Sequence, residues 1–171
     1  METPEIRELT AEDASAWWHL RLEALESDPL AFSSSAEDHR RTTVEMAAAR
    51  IAAPGPGAFL LGAFRAGALI GTAGFYREQE RKSHHKGHVW GVYVTPACRG
   101  CGIGRALMSR LIGQARSGAG VQQIVLTVTA GQMAARGLYE SLGFVPFGRE
   151  PRALRIRGQY VDEDYYVLLF T

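Results

Sequence analysis

The run Val92-Tyr93-Val94-Thr95-Pro96-Ala97-Cys98-Arg99-Gly100-Cys101-Gly102-Ile103-Gly104-Arg105-Ala106-Leu107 constrains this chain more than any other stretch. An apolar strand ends at a proline, passes through a glycine-spaced turn and opens directly into a helix. Arg99 begins the spacing R-x-x-G-x-G, which closes at Gly104. Glycine lets backbone approach a ligand without an intervening Cβ. The first amides of the helix have no intrahelical partner, point outward and favour negative charge. Strand, turn and helix start together predict a cradle for a phosphate or pyrophosphate.

Spacing narrows the anion. The dinucleotide pattern G-x-G-x-x-G is absent here, because Gly100, Gly102 and Gly104 are separated by two throughout. The pattern G-x-x-x-x-G-K-[ST] fails because no Lys-Ser or Lys-Thr pair follows Gly104. The chain also lacks the repeated strand–helix alternation of a doubly wound nucleotide fold. The pyrophosphate of coenzyme A is the remaining common occupant.

Val92-Tyr93-Val94 followed by Arg99-Gly100-x-Gly102-Ile103-Gly104-Arg105-Ala106-Leu107 resembles the acetyl-CoA motif of the GNAT N-acetyltransferase superfamily. Downstream, Gln132-x-x-Ala135-x-x-Leu138-Tyr139-Glu140-x-Leu142-Gly143-Phe144 resembles the helix that follows that superfamily's fifth strand, here Gln123 to Val128. The resemblance covers roughly positions 70 to 150. It implies an α/β fold of the α+β type: a mixed, mainly antiparallel sheet with helices on both faces and a splayed central strand pair. It implies that the pantetheine arm enters the splay against Val92, Tyr93 and Val94, and that the pyrophosphate sits on the turn at Arg99, Gly100, Cys101, Gly102, Ile103, Gly104 and Arg105. Cys101 stands where relatives commonly carry Arg, Lys or Gln, so Arg99, Arg105 and the amides would take more of the binding. Gln132 replaces the usual Asn that contacts the arm.

Composition agrees with a single domain over 1–171, with 46% hydrophobic and 22% charged residues. A net charge of +1 gives no reason to expect nucleic acid or a membrane surface as partner. No apolar run reaches the ~20 residues that span a bilayer, and the acidic start Met1-Glu2-Thr3-Pro4-Glu5 is unlike a signal peptide. A cytoplasmic location is the default expectation. The sequence leaves assembly as a homodimer open.

Patterning places the elements. Ile6–Leu9 reads as a first strand. A helix capped by Thr10 or Asp13 should turn Trp18, Leu22 and Leu25 inward and stop at Asp28-Pro29. Residues 35–51 read as one further helix, closed by the loop Ala53-Pro54-Gly55-Pro56-Gly57. Strands 58–64 and 68–76 form a hairpin about Arg65-Ala66-Gly67, and 86–95 is the next strand. The helix 103–116 should bury Leu107, Leu111 and Ala115. Gln132–Leu142 is helical with Gly143 as C-cap, and strands 144–156 and 159–170 turn at Arg157-Gly158.

The chemistry that the resemblance implies is acetyl transfer from acetyl-CoA to a small-molecule amine or a protein amino group by direct attack, without a metal. An amine proton must leave, an oxyanion must be stabilised, and the thiolate must be protonated. An amide near Val92 suits the oxyanion. The resemblance makes Tyr139 the acid, since a phenol is protonated at neutral pH. The central strand His88-Val89-Trp90-Gly91-Val92 holds no carboxylate, which leaves Glu23, Glu78, His85 and His88 as base candidates. His88 should share one strand face with Trp90 and Val92. An amine arriving neutral would need no dedicated base, and an acyl-CoA-binding sensor without transfer activity is the alternative function.

Two other constellations read less well. Cys98-Arg99-Gly100-Cys101 has redox spacing, but the strand order does not suit a thioredoxin-like fold. His84-His85-x-x-His88 lacks a fourth ligand nearby and reads as a solvated turn. Arg149, Arg152, Arg155 and Arg157 read as solvent-facing strand residues balanced by Asp162, Glu163 and Asp164. Acceptor specificity should come from the first two helices, including Trp17 and Trp18, and from the 77–87 loop.

Overall fold

The computed structural model describes residues 3–118 and 120–171; Met1 and Glu2 of the acidic start lie outside the described residues. Seven strands form one sheet: β1 (Glu5–Glu8), β2 (Phe59–Arg65), β3 (Ala68–Arg77), β4 (Lys86–Val94), β5 (Gln123–Thr129), β6 (Val145–Ile156) and β7 (Gln159–Leu169). Their order is β1-β2-β3-β4-β5-β7-β6. Among the described residues only the β4–β5 pair is parallel. Two-residue turns with both φ positive, Ala66-Gly67 and Arg157-Gly158, close the β2–β3 and β6–β7 hairpins and match the right-handed twist of their strands.

Among the described residues five α-helices flank the sheet: α1 (Ala14–Ser27), α2 (Ala36–Arg40), α3 (Val44–Ala52), α4 (Ile103–Ser117) and α5 (Met133–Ser141). Successive residues of β2 divide the core. Leu61 and Ala63 join Phe75, Val89 and Ile124 beneath α4, whereas Leu60 and Phe64 pack with Trp17, Ala47 and Ile51 of α1 and α3. The inner stripe of α4 is as expected, with Leu107, Leu111 and Ala115 buried and Ile103 and Met108 beside them. Leu111 has no exposed surface, so Leu111→Ala is expected to cost about 2–5 kcal/mol, read by denaturant unfolding.

Three local expectations are corrected. The buried stripe of α1 is Ala14, Trp17, Leu20, Arg21, Ala24 and Leu25, with Trp18 and Leu22 only half-buried. The stripe rotates because the helix starts at Ala14, after a 3₁₀ turn in which Asp13 accepts from the Thr10 amide at 2.8 Å and pairs with Arg7 at 2.7 Å. The single helix over 35–51 is two helices. Thr43 breaks it by accepting from the Met46 amide at 3.2 Å as the N-cap of α3. Finally, His88 and Trp90 do not share a face with Val92. Trp90 pairs with Gly74 and Tyr93 with Thr72, so Gly91 and Val92 together oppose Ala73 in a bulge. Gly91 carries φ 62°, a conformation glycine adopts without strain. The extra residue inverts the alternation: Trp90 packs toward α1 and α3, Val92 toward the α4 side.

Candidate active site

The pairing of β4 with β5 holds only at Lys86↔Gln123, Gly87↔Ile124 and His88↔Val125. Beyond these, β4 stays with β3 up to Gly71↔Val94, and β5 stays with β7 up to Thr129↔Glu163. The two central strands therefore part, and their facing backbone edges from Val89 and Leu126 onward take no ladder partner among the described residues. Such an edge can accept an extended chain with amide groups. A cavity of ≈ 80 Å³ fills the gap, lined by Val89 to Val92, Leu126 to Val128, Phe32, Gln132 and Tyr139.

A larger groove of ≈ 450 Å³ continues from this gap to the glycine turn. Of the residues proposed from sequence, it brings together Val92, Tyr93, Val94, Arg99, Gly100, Gly102, Ile103, Gly104, Arg105, Gln132 and Tyr139. Cys101 is exposed and outside this lining; its thiol points to the Arg99 carbonyl at 3.7 Å. Gly100 and Gly102 carry φ of 75° and 78°, and a Cβ on either would meet no atom within 4 Å. These two glycines serve the turn's left-handed backbone. Gly104 serves packing as well, for a Cβ there would stand 3.3 Å from Leu138 of α5. Gly102 caps α4, so the free amides of its first turn are open to the groove. The groove thus fits coenzyme A on two counts: donors at one end for a pyrophosphate, and unpaired strand edges at the other for the amides of its arm.

The arginines of the turn are differently employed. The Arg99 Nε donates to the Val94 carbonyl at 2.9 Å, and Nη2 pairs with Asp28 at 2.5 Å. Its guanidinium also lies 5.3 Å from the Tyr93 ring centre. Arg99 therefore ties the end of α1 to the end of β4. Arg105 donates to Ser141 Oγ of α5 at 2.6 Å.

Tyr139 projects from α5 into both cavities. Burial alone pushes its hydroxyl up to about 12. The C-terminus of α5 holds the ring in place: Gly143, at φ 92°, donates its amide to Glu140 O at 3.1 Å. The Phe144 amide donates to Tyr139 O at 3.1 Å, and the Phe144 ring meets Tyr139 edge-on at 6.0 Å. Gln132 sits at the N-cap of α5 and borders the groove.

None of the four base candidates lines the groove or the gap. Glu23 Oε1 accepts from Tyr93 Oη at 2.9 Å and from Thr95 Oγ1 at 2.6 Å, bracing the end of β4. Glu78 and His88 bond each other at 2.8 Å, with His88 stacked on Tyr76 at 4.7 Å. His85 contributes its carbonyl to the Gln122 amide at 2.8 Å. The cysteines are both free, with Cys98 Sγ 3.8 Å from Arg65 Nη1. On the last hairpin, Arg149 makes a two-point contact with Asp164 at 2.6 and 3.0 Å. Among the described residues no His, Cys, Asp and Glu cluster could hold a metal, and no helix is long and apolar enough to cross a membrane.

Fold and groove together describe a mixed sheet with parted central strands that open onto a glycine turn. The Acetyltransferase (GNAT) family matches residues 14–144, and the chain belongs to that acyltransferase family. It is similar to a GNAT-family acetyltransferase from Streptococcus pneumoniae, at 25% identity and TM-score 0.86 over 98% of this chain and 99% of that one. It also resembles yncA of Salmonella typhimurium, a putative acetyltransferase solved with acetyl-CoA. There the identity is 25% and the TM-score 0.81, over 99% of this chain and 95% of that one. A mycothiol acetyltransferase from Thermobispora bispora is 36% identical over 77% of this chain and 43% of its own length. The chain spans between 30% and 59% of the length of the curated relatives that it matches.

Sequence reasoning missed the Gly91 bulge and the side chains behind it. A glycine inside a strand pattern is the one signal that could have revealed the bulge. Which α1 side chains stand behind it depends on the sheet register.

Proposed function

We propose that this protein is an acetyl-CoA-dependent N-acetyltransferase acting on a primary amine by direct attack. The observation that carries the reading is the continuity of the groove: the glycine turn and the start of α4 at one end, the parted strands at the other, and Tyr139 lining both cavities. Acetyl-CoA, when bound, supplies the thioester. The amides of Ile103 to Arg105 hold its pyrophosphate, each such bond to a charged oxygen being worth about 1.5–3 kcal/mol. The open edge of β4 at Val92 to Val94 aligns the arm, and Gln132 borders it. A β4 amide beside the bulge stabilises the oxyanion, and Tyr139 donates its proton to the departing sulfur. With no candidate base in the groove, the amine attacks in its neutral form; the proton that its nitrogen then sheds passes to water, from which the Tyr139 oxygen is reprotonated.

Of the relatives named above only the mycothiol acetyltransferase has an acceptor in its name, and this chain spans 43% of it, so no acceptor is carried over. The test is thiol release from acetyl-CoA across a panel of amines. Acceptor-dependent release supports the enzyme reading. Tight coenzyme A binding with no release for any amine would overturn it in favour of an acyl-CoA sensor.

A further inference from the structure

Arg21 of α1 is 9% exposed and its Nη1 is buried without a hydrogen-bond partner. Its guanidinium rests 4.8 Å over the Phe32 ring, and Nη1 stands 3.4 Å from where a Cβ on Gly91 would lie. Phe32 and Gly91 both line the gap between the parted strands. A ring face offsets part of the charge but gives the Nη1 hydrogens no in-plane acceptor. A second orphan lies close by: Trp17 Nε1 is buried and unpartnered, and its ring meets Trp90 edge-on at 6.4 Å. A second cation, Arg50, lies 5.4 Å over Trp90 on the same side of the sheet. Trp90 is shared between the gap and a neighbouring cavity of ≈ 150 Å³, whose walls include Trp17, Arg50, Phe59, Phe75 and Tyr76.

Both unmet groups, Arg21 Nη1 and Trp17 Nε1, are donors, and the exposed Arg50 adds a second cation beside Trp90. A buried guanidinium without an anion is costly, and protein side chains supply no carboxylate to this one. The missing partner is therefore an anionic acceptor that arrives with a ligand. Coenzyme A does not supply it, because its phosphates belong at the glycine turn beyond the far end of β4. Resting on the acetyl-transfer reading, we infer that the acceptor amine carries a carboxylate within a few bonds of its nitrogen, held by Arg21 and assisted by Arg50. Its apolar side chain would occupy the cavity beside Trp90, making it a short apolar amino acid. Burial and repulsion from Arg50 bring Arg21 down to about 10, so it stays charged at neutral pH. The same positive field lowers the pKa of a nearby ammonium and favours the neutral nucleophile.

The test compares L-leucine with L-leucinamide and isopentylamine, with rates expressed per neutral amine. The carboxylate should raise kcat/KM by about ten-fold or more, as a charge-assisted contact does. Arg21→Gln should remove that advantage by raising the L-leucine KM, with the acetyl-CoA KM unchanged, and Arg21→Lys should recover part of it. Equal turnover of the three amines by the wild-type protein overturns the inference, and this comparison stands even if the variants fail to fold. A second readout needs no transfer: 4-methylpentanoate, but not its amide, should change the fluorescence of Trp17 and Trp90. That response in a protein that acetylates no amine would sink the transferase reading and keep the anion site. Identical responses to acid and amide would remove the site whatever the protein acetylates.

Discussion

Tyr139→Phe is expected to lower kcat by about 10²-fold while the KM for acetyl-CoA changes by less than about three-fold. The asymmetry follows from where the hydroxyl stands. The ring meets Phe144 edge-on at 6.0 Å, and phenylalanine keeps that packing. What it loses is the proton given to sulfur as the thioester breaks. Burial pushes the hydroxyl up to about 12, so the acid stays protonated across the working range and its loss at high pH is deferred. The wild-type pH profile should therefore rise as the acceptor amine deprotonates. It should then stay flat up to about pH 10, the range a solvent-exposed phenol would already begin to leave. Equal kcat for the two proteins under saturating acceptor would remove Tyr139 from the mechanism. A descending limb near neutral pH would point to a different acid.

The second large effect is expected from the turn. Gly102 holds φ 78° at the N-cap of α4 and presents open space where a side chain would go. Gly102→Val places a β-branched residue in a left-handed conformation, at a cost of about 1–2 kcal/mol. The strain should be relieved by reorienting the turn, which takes the amides of Ile103 and Gly104 away from the pyrophosphate. Losing one such bond weakens acetyl-CoA binding by about 10- to 100-fold, visible as a raised KM with kcat at saturation little changed. The control lies eleven residues further along the chain, at Gly113 (113 − 102). It sits inside α4, its Cβ would meet nothing within 4 Å, and its φ is not positive. Gly113→Ala should stabilise the protein by about 0.5–1 kcal/mol, seen as a higher melting temperature. Opposite outcomes for two glycines of one helix would show that Gly102 is held by its backbone conformation and its place in the groove.

The extent to which the site could be read from sequence follows the range of the interactions. The turn from Arg99 to Arg105 is local: a strand end, left-handed glycines and a helix N-terminus fix their geometry within a few residues. Tyr139 and Gln132 are also local to one another, two turns apart on one helical face, and the cap at Gly143 sets where that helix ends. Thr43 is plain in the sequence, yet the break it causes between α2 and α3 falls at Arg41-Thr42-Thr43, residues that a continuous helix also tolerates. A capping side chain competes with helix continuation, and only the assembled packing of Ala47 and Ile51 decides which prevails.

Short-range signals in the sequence are enough for the order of the strands along the chain, the glycine turn, and the family to which its two motifs belong. These depend on φ preferences, hydrogen-bond caps and periodicity, all of which act over short stretches of chain. The surroundings of the parted strands depend on tertiary contacts. The bulge at Gly91 exchanges the two faces of β4, which sends Trp90 toward α1 and α3 and Val92 toward the α4 side. It also brings Arg21, 70 residues earlier in the chain (91 − 21), against the point where the strands part. The side chain of Arg99, which sequence alone would give to phosphate, is instead taken up by Asp28. Such contacts join residues far apart in the chain, and a shift of one residue in register would exchange every partner.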